Sequence, residues 1–177
     1  IAGLIPADRA RLEHGTARLA LMLTARFRQA DSLMDQPGAG AAGGIAFGLM
    51  AALGELAQGT ERIFRVSCPF RCERPVEVPD NKMATQLFRI AQEAVANAIK
   101  HSHADRIELS LSQDESNIHL IIRDNGVGIP DNIPGKSTGM GLLTMSHRAR
   151  MIGGHLTAGP DDFGGTIVRC TLPIAAA

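Results

Sequence analysis

No glycine occurs between Thr60 and Asn125, while nine precede that stretch and ten fall between Gly126 and Gly165. Glycine is the residue that lets backbone take conformations and close approaches closed to other side chains. The glycine-free stretch is therefore where regular helices and strands can build a core. The later block reads as backbone held open for a ligand. The earlier block centres on Gln36-Pro37-Gly38-Ala39-Gly40-Ala41-Ala42-Gly43-Gly44, a helix-breaking run that reads as a linker. A chain of 177 residues, 45% apolar and 20% charged, suits one medium domain with a helical appendage rather than a disordered tail.

Three divisions follow: residues 1–36 as an amphipathic helix, 37–46 as the linker and 47–177 as the main domain. Leu12, Thr16, Leu19, Leu23, Phe27, Ala30 and Met34 recur at steps of three and four, which is one stripe of a helix over 7–34. Such a stripe needs a partner, either the domain or a second copy of the chain. Leu49, Leu53 and Leu56 predict a helix over 47–57, and 63–72 alternates like a strand. Asp80 or Asn81 is placed to cap a helix running to about His101, with Ala84, Leu87, Phe88, Ala91, Ala94, Val95 and Ala98 on its core side. Ile107, Leu109 and Leu111 alternate with polar residues, and Ile118, Leu120, Ile121 and Ile122 form an apolar run that fits a central strand. A helix over 142–152 and strands at 156–158 and 166–172 complete an α/β two-layer sandwich.

Three segments carry the chemistry. Glu93 and Asn97 are four residues apart on one helix and share a face, and Lys100 with His101 extends that polar row. Asp124 ends the most apolar strand and opens Asp124-Asn125-Gly126-Val127-Gly128. An ionised Asp only accepts hydrogen bonds, so it suits the exocyclic amine of adenine and repels the carbonyl of guanine. Gly139-Met140-Gly141 stands before the Leu142 helix, where free amides make an anion site. Residues 129–138, with Pro130, Pro134, Gly135, Lys136 and Ser137, are expected to close over phosphates as a lid. Singly, these segments also read as a solvated helix face, an Asp-Asn-Gly turn and an ordinary helix entry.

Together, Gln92-Glu93-Ala94-x-x-Asn97-Ala98-x-Lys100-His101, Asp124-x-Gly126-x-Gly128 and Gly139-x-Gly141-Leu142 resemble the N, G1 and G2 boxes of the GHKL ATPase superfamily. The pattern is most similar to the catalytic domain of sensor histidine kinases of the nitrate-sensor class. Met145, Arg148-Ala149, Gly153-Gly154, Gly164-Gly165-Thr166 and Leu172-Pro173 continue the resemblance, from about Gly48 to Pro173. It implies a Bergerat-type fold, a mixed sheet backed by helices, with ATP and Mg²⁺ as cofactors. On it Asp124 reads the adenine amine and Asn97 is the metal ligand. Glu93 orients water or the phosphoacceptor, and Lys100 and His101 face the phosphates. Gly126, Gly128, Gly139, Gly141 and Leu142 line the nucleotide, and Thr166 meets the base through water. The implied activity is transfer of the γ-phosphate of ATP to a histidine, for relay to a response regulator.

A phosphoacceptor histidine of this class is followed by an acidic residue on the first helix of a two-helix hairpin. His14 is followed by Gly15 and lies 34 positions before Gly48. We therefore expect His14 not to accept phosphate, and the N-terminal helix to be a remnant of, or substitute for, the hairpin, able to form a homodimer. Two rivals stand beside this reading: a GHKL Ser/Thr protein kinase of the anti-sigma type, and a non-catalytic nucleotide-binding regulatory module. The 18 basic and 18 acidic residues balance to zero charge, which argues against a nucleic-acid partner. Three cysteines point to a reducing, cytoplasmic setting. Cys68 and Cys72 lack a second pair at zinc spacing. No apolar run reaches membrane-spanning length. The start at Ile1 rather than Met suggests a piece of a longer protein with domains upstream, membrane-anchored or not.

Overall fold

A computed structural model describes residues 42–128 and 139–174. The helix expected at 7–34, His14 and the expected lid at 129–138 lie outside the described residues. In chain order the elements are α1 (Ala42–Phe64), β1 (Phe70–Arg71), α2 (Asn81–Asn97), a π-helical turn (Ala98–Ser102), β2 (Ile107–Gln113), β3 (Asn117–Asp124), α3 (Met140–Met151), β4 (His155–Pro160) and β5 (Thr166–Pro173). The strands form one sheet in the order β1-β2-β3-β5-β4. β1 runs parallel to β2, and all other neighbours are antiparallel.

The sheet buries one face. Ile107, Leu109 and Leu111 of β2, Ile118, Leu120 and Ile122 of β3, and Val168, Cys170 and Leu172 of β5 are all buried, at the period of two that one covered face requires. Against them lie Leu49, Leu53 and Leu56 of α1, Leu87, Phe88, Ala91 and Val95 of α2, and Met145 and Ala149 of α3. This is the expected α/β two-layer sandwich. Ile121 faces the other side and is half-buried. β3 is central because it has a neighbour on each edge, not because both of its faces are covered.

Helix α2 starts where its sequence says it should. Asp80 takes an extended conformation, and its Oδ1 accepts from the Met83 amide at 2.7 Å, satisfying one of the free donors of the first turn. Two expectations fail around α1. The helix begins at Ala42, inside the glycine-rich run read as linker, and continues to Phe64 into the segment read as a strand. Its buried face explains the extension: Leu49, Leu53, Leu56 and Thr60 stay in phase, and the Thr60 hydroxyl donates back to the Leu56 carbonyl at 2.8 Å. Arg65, at φ 56°, then ends the helix. Of the expected strand, only Phe70–Arg71 and an isolated Ser67–Arg106 bridge remain.

The α-helical row expected from Glu93 to His101 also breaks. α2 stops at Asn97, and Ala98–Ser102 widens into a π-helical turn. π-bulges concentrate at functional sites. His103, with φ 53°, closes the turn.

Candidate nucleotide site

The end of β3 forms the better-fixed half of the site. Asp124 is 8% exposed, and its Oδ1 accepts from the Gly126 amide at 2.9 Å. That is its only side-chain hydrogen bond among the described residues, and its second oxygen is not sealed, since the only sealed side-chain atom without a partner there is Nε2 of Gln92. A buried carboxylate with one oxygen fixed and the other open is an acceptor set for an incoming N–H. Thr166 stands directly opposite Asp124 in the β3–β5 register.

Neighbouring backbone packs without room for a side chain. A Cβ on Gly126 would strike the Ser102 carbonyl, and one on Gly165 would strike the Asp124 carbonyl. Gly165 also adopts φ 83°, so only glycine satisfies both demands. Gly128 approaches the Gly165 carbonyl, where an added Cβ would lie 3.1 Å away. Asn125 braces the loop from its other side. Its Oδ1 accepts from the amides of Asp105 and Arg106 at 3.2 and 3.0 Å, and its Nδ2 donates to Asp105 Oδ1 at 2.6 Å.

The second half lies where α2 meets the start of α3. A Cβ on Gly141 would stand 2.5 Å from Oε1 of Glu93 and 2.8 Å from Nδ2 of Asn97. Glu93 and Asn97 therefore share a face, as their spacing implied, and both meet the α3 entry. Among the described residues neither side chain makes a hydrogen bond. Gly139 precedes α3 with no side-chain cap, and its carbonyl accepts from the Leu142 amide at 2.9 Å. The amides of Met140 and Gly141 stay outside the helical ladder, as first-turn donors do, and the space around Gly139 is open. Lys100 and His101 are exposed on the π-helical turn between the two halves, and contact neither half through a side-chain bond.

These residues suit a nucleotide with a hard cation. Mg²⁺ takes oxygen ligands and is usually held by one or two protein groups together with phosphates. Glu93 and Asn97 offer such oxygens beside the gap left by Gly141. Among the described residues there is no group of three or more His, Cys, Asp and Glu able to hold a metal alone. Burial pushes the thiols of Cys68 and Cys170 up to about 12 and about 11, so both stay protonated as core residues. Two residues escaped the sequence reading. Ser102 and Asn125 fix the Asp124 loop, and their only sequence signal is position next to the motif residues.

The family described as "Histidine kinase-, DNA gyrase B-, and HSP90-like ATPase" matches residues 83–176. The glycerate kinase family matches residues 2–69, less than half of the chain. The oxygen sensor histidine kinase NreB of Staphylococcus carnosus is 38% identical over 95 residues, covering 54% of this chain and 27% of that protein. The nitrate/nitrite sensor protein NarQ of Escherichia coli is 35% identical over 122 residues, covering 68% of this chain and 21% of that protein. The chain thus spans under a third of the length of these relatives. The ATP-binding domain of PrrB from Mycobacterium tuberculosis shares the fold at a TM-score of 0.60 and 23% identity, covering 71% of this chain and 93% of that one. The histidine kinase domain of Erythrobacter litoralis EL346 does so at 0.56 and 20%, covering 94% of this chain and 90% of that one.

Proposed function

Because the chain belongs to the family of histidine kinase-, DNA gyrase B- and HSP90-like ATPases, we propose that residues 47–177 bind ATP with Mg²⁺ and transfer its γ-phosphate to a histidine. The domain is an ATP-binding catalytic domain of the histidine-kinase type. One observation carries the residue assignment: the Gly141 entry of α3 lies against Glu93 and Asn97, while the adjacent loop holds Asp124 with a single oxygen engaged.

Asp124 accepts the adenine amine, and the Gly126 amide holds its carboxylate in the accepting orientation. Thr166, opposite in register, serves the same end of the base through water. The amides at the α3 entry, with Gly139 and Gly141 leaving the backbone bare, face the phosphate oxygens. Leu142 fixes that entry through its bond to Gly139. Asn97 supplies the side-chain oxygen for Mg²⁺, which when bound neutralises charge on the phosphates. Glu93 orients the phosphoacceptor or water. Lys100 and His101, exposed on the π-helical turn, supply positive charge or donors towards the phosphates. Such transfer needs positioning and charge neutralisation more than covalent participation.

The acceptor histidine, on this reading, lies on another helix than that of His14, and the phosphate passes on to a response regulator, as in two-component relays. We further propose that residues 1–36 serve as the dimerising element of the chain, ahead of the catalytic domain. No described helix is long and apolar enough to cross a membrane. We place the reaction in the cytoplasm, where ATP and the response regulator meet. Incubation with γ-labelled ATP and a separate histidine-bearing hairpin tests the proposal. Acid-labile label on the hairpin is expected. Acid-stable label on Ser or Thr, or no label beside intact ATP binding, would contradict it.

A further inference from the structure

Ser102 is buried, 5% exposed, yet it is a polar residue at a helix end. Its hydroxyl donates to the Ala98 carbonyl at 2.6 Å and accepts from the Ala104 amide at 3.2 Å. In an α-helix the Ala98 carbonyl would receive the Ser102 amide. In the π-helical turn the backbone bond shifts one residue further on, and the hydroxyl supplies the donor at the vacated position. Back-bonding of this kind bends helices and competes with the regular ladder. The serine side chain thus holds the wide turn in its observed form.

The backbone of the same residue reaches the adenine side. The Ser102 carbonyl accepts from the Val127 amide at 2.8 Å. That carbonyl and the Ser102 Cβ occupy the space a Gly126 side chain would need. At its other end the turn begins directly after Asn97, beside Gly141. One five-residue turn therefore joins the metal-side residue to the loop that presents Asp124. Asn125, bonded to Asp105 and Arg106, pins the loop to the start of β2 but does not reach Asn97.

From this geometry, and on the premise of the nucleotide site above, the structure assigns Ser102 as a positioning residue that sets the separation between Asn97 and Asp124, and so couples metal binding to base binding. Without the hydroxyl, the Ala98 carbonyl loses its side-chain donor and the Ala104 amide its acceptor. The turn then relaxes towards α-helical register, and the Ser102 carbonyl rotates away from Val127. Either end of ATP still binds, but base and Mg²⁺ no longer bind together at the fixed span.

The test is titration calorimetry of the full chain with ATP, once with Mg²⁺ and once with EDTA. Failure of the unaltered chain to bind MgATP overturns the nucleotide reading itself, independently of Ser102. Where it binds, Ser102→Ala is expected to lower the Mg²⁺ enhancement of affinity about tenfold, the scale of one lost buried hydrogen bond, while affinity in EDTA stays within about twofold. Ser102→Thr, which keeps the hydroxyl, restores the enhancement. Gly126→Ala forces a methyl between loop and turn with the serine intact, and lowers the enhancement as well. It also keeps the question decidable if Ser102→Ala fails to fold. Equal weakening with and without Mg²⁺, an enhancement unchanged in Gly126→Ala, or a folded Ser102→Thr that behaves like the alanine variant overturns the assignment.

Discussion

The two halves of the site are built differently. Around Asp124 nearly every contact is backbone against backbone: Gly126 on Ser102, Gly165 on Asp124, Gly128 on Gly165, with Asn125 bonded across to Asp105 and Arg106. Around Asn97 the contacts are side-chain ends facing a glycine, and neither the Glu93 nor the Asn97 side chain makes a hydrogen bond among the described residues. On the proposed assignment the base half is fixed by the fold, and the phosphate half is left open to its ligand. Such a division suits a site that must recognise adenine rigidly yet let phosphate and metal come and go. Preorganisation lowers the ordering cost of binding, and the fold provides it where discrimination is needed.

Glycine substitutions break the comparison most sharply. Gly165→Ala places a Cβ on the Asp124 carbonyl at a φ of 83°, and we expect a loss of about 3 kcal/mol, roughly 10 °C in thermal midpoint. Gly141→Ala meets only the flexible ends of Glu93 and Asn97. Its midpoint should move by no more than about 2 °C, while MgATP affinity falls about tenfold. Similar thermal shifts in the two variants, read by calorimetry, would erase the distinction between the halves.

Side-chain changes separate the halves by chemistry. Asp124→Asn exchanges a charged acceptor for an amide, and should weaken ATP about thirtyfold whether or not Mg²⁺ is present, the scale of one lost charge-assisted hydrogen bond. Asn97→Ala should leave affinity in EDTA nearly unchanged and remove most of the gain from Mg²⁺. Equal losses in both conditions for Asn97→Ala would place it outside the metal half.

The smallest effect lies on the open face of the sheet, away from both halves. Asp114 accepts from His119 and from the Ser116 and Asn117 amides, which hold its carboxyl down at about 2. A depressed carboxylate stabilises the fold above its unfolded value of 3.8, and that contribution disappears as the pH falls through about 2. Asp114→Asn should therefore lower the midpoint slightly at pH 7, and the difference should fade as the pH drops below about 2. Because the group is exposed, the difference is small. It should leave ATP affinity untouched, and a change in binding would mean that the open face communicates with the site.

Sequence patterns disclosed the elements whose stability is local or periodic. Asp80 announces the start of α2, and the alternation of Ile107, Leu109 and Leu111 announces β2. That Glu93 and Asn97 share a face was legible because one α-helical turn joins them, and the place of Asp124 at a strand end because an apolar run precedes two glycines. The boundary at 63–72 was not, since Arg65 ends α1 in a left-handed conformation that no glycine marks. The π-helical turn was equally hidden. It exists because the Ser102 hydroxyl and a distant loop amide both engage it, and spacing along the chain does not encode a tertiary partner.

The most direct measurement is calorimetric titration of the full chain with ATP and, separately, GTP, both with Mg²⁺. A carboxylate that accepts the adenine amine repels the guanine carbonyl. ATP should bind, and GTP should bind at least about tenfold more weakly, as expected for one mismatched buried polar contact. Equal affinity for the two nucleotides, or no binding of ATP, would contradict the assignment of Asp124 and the site built around it.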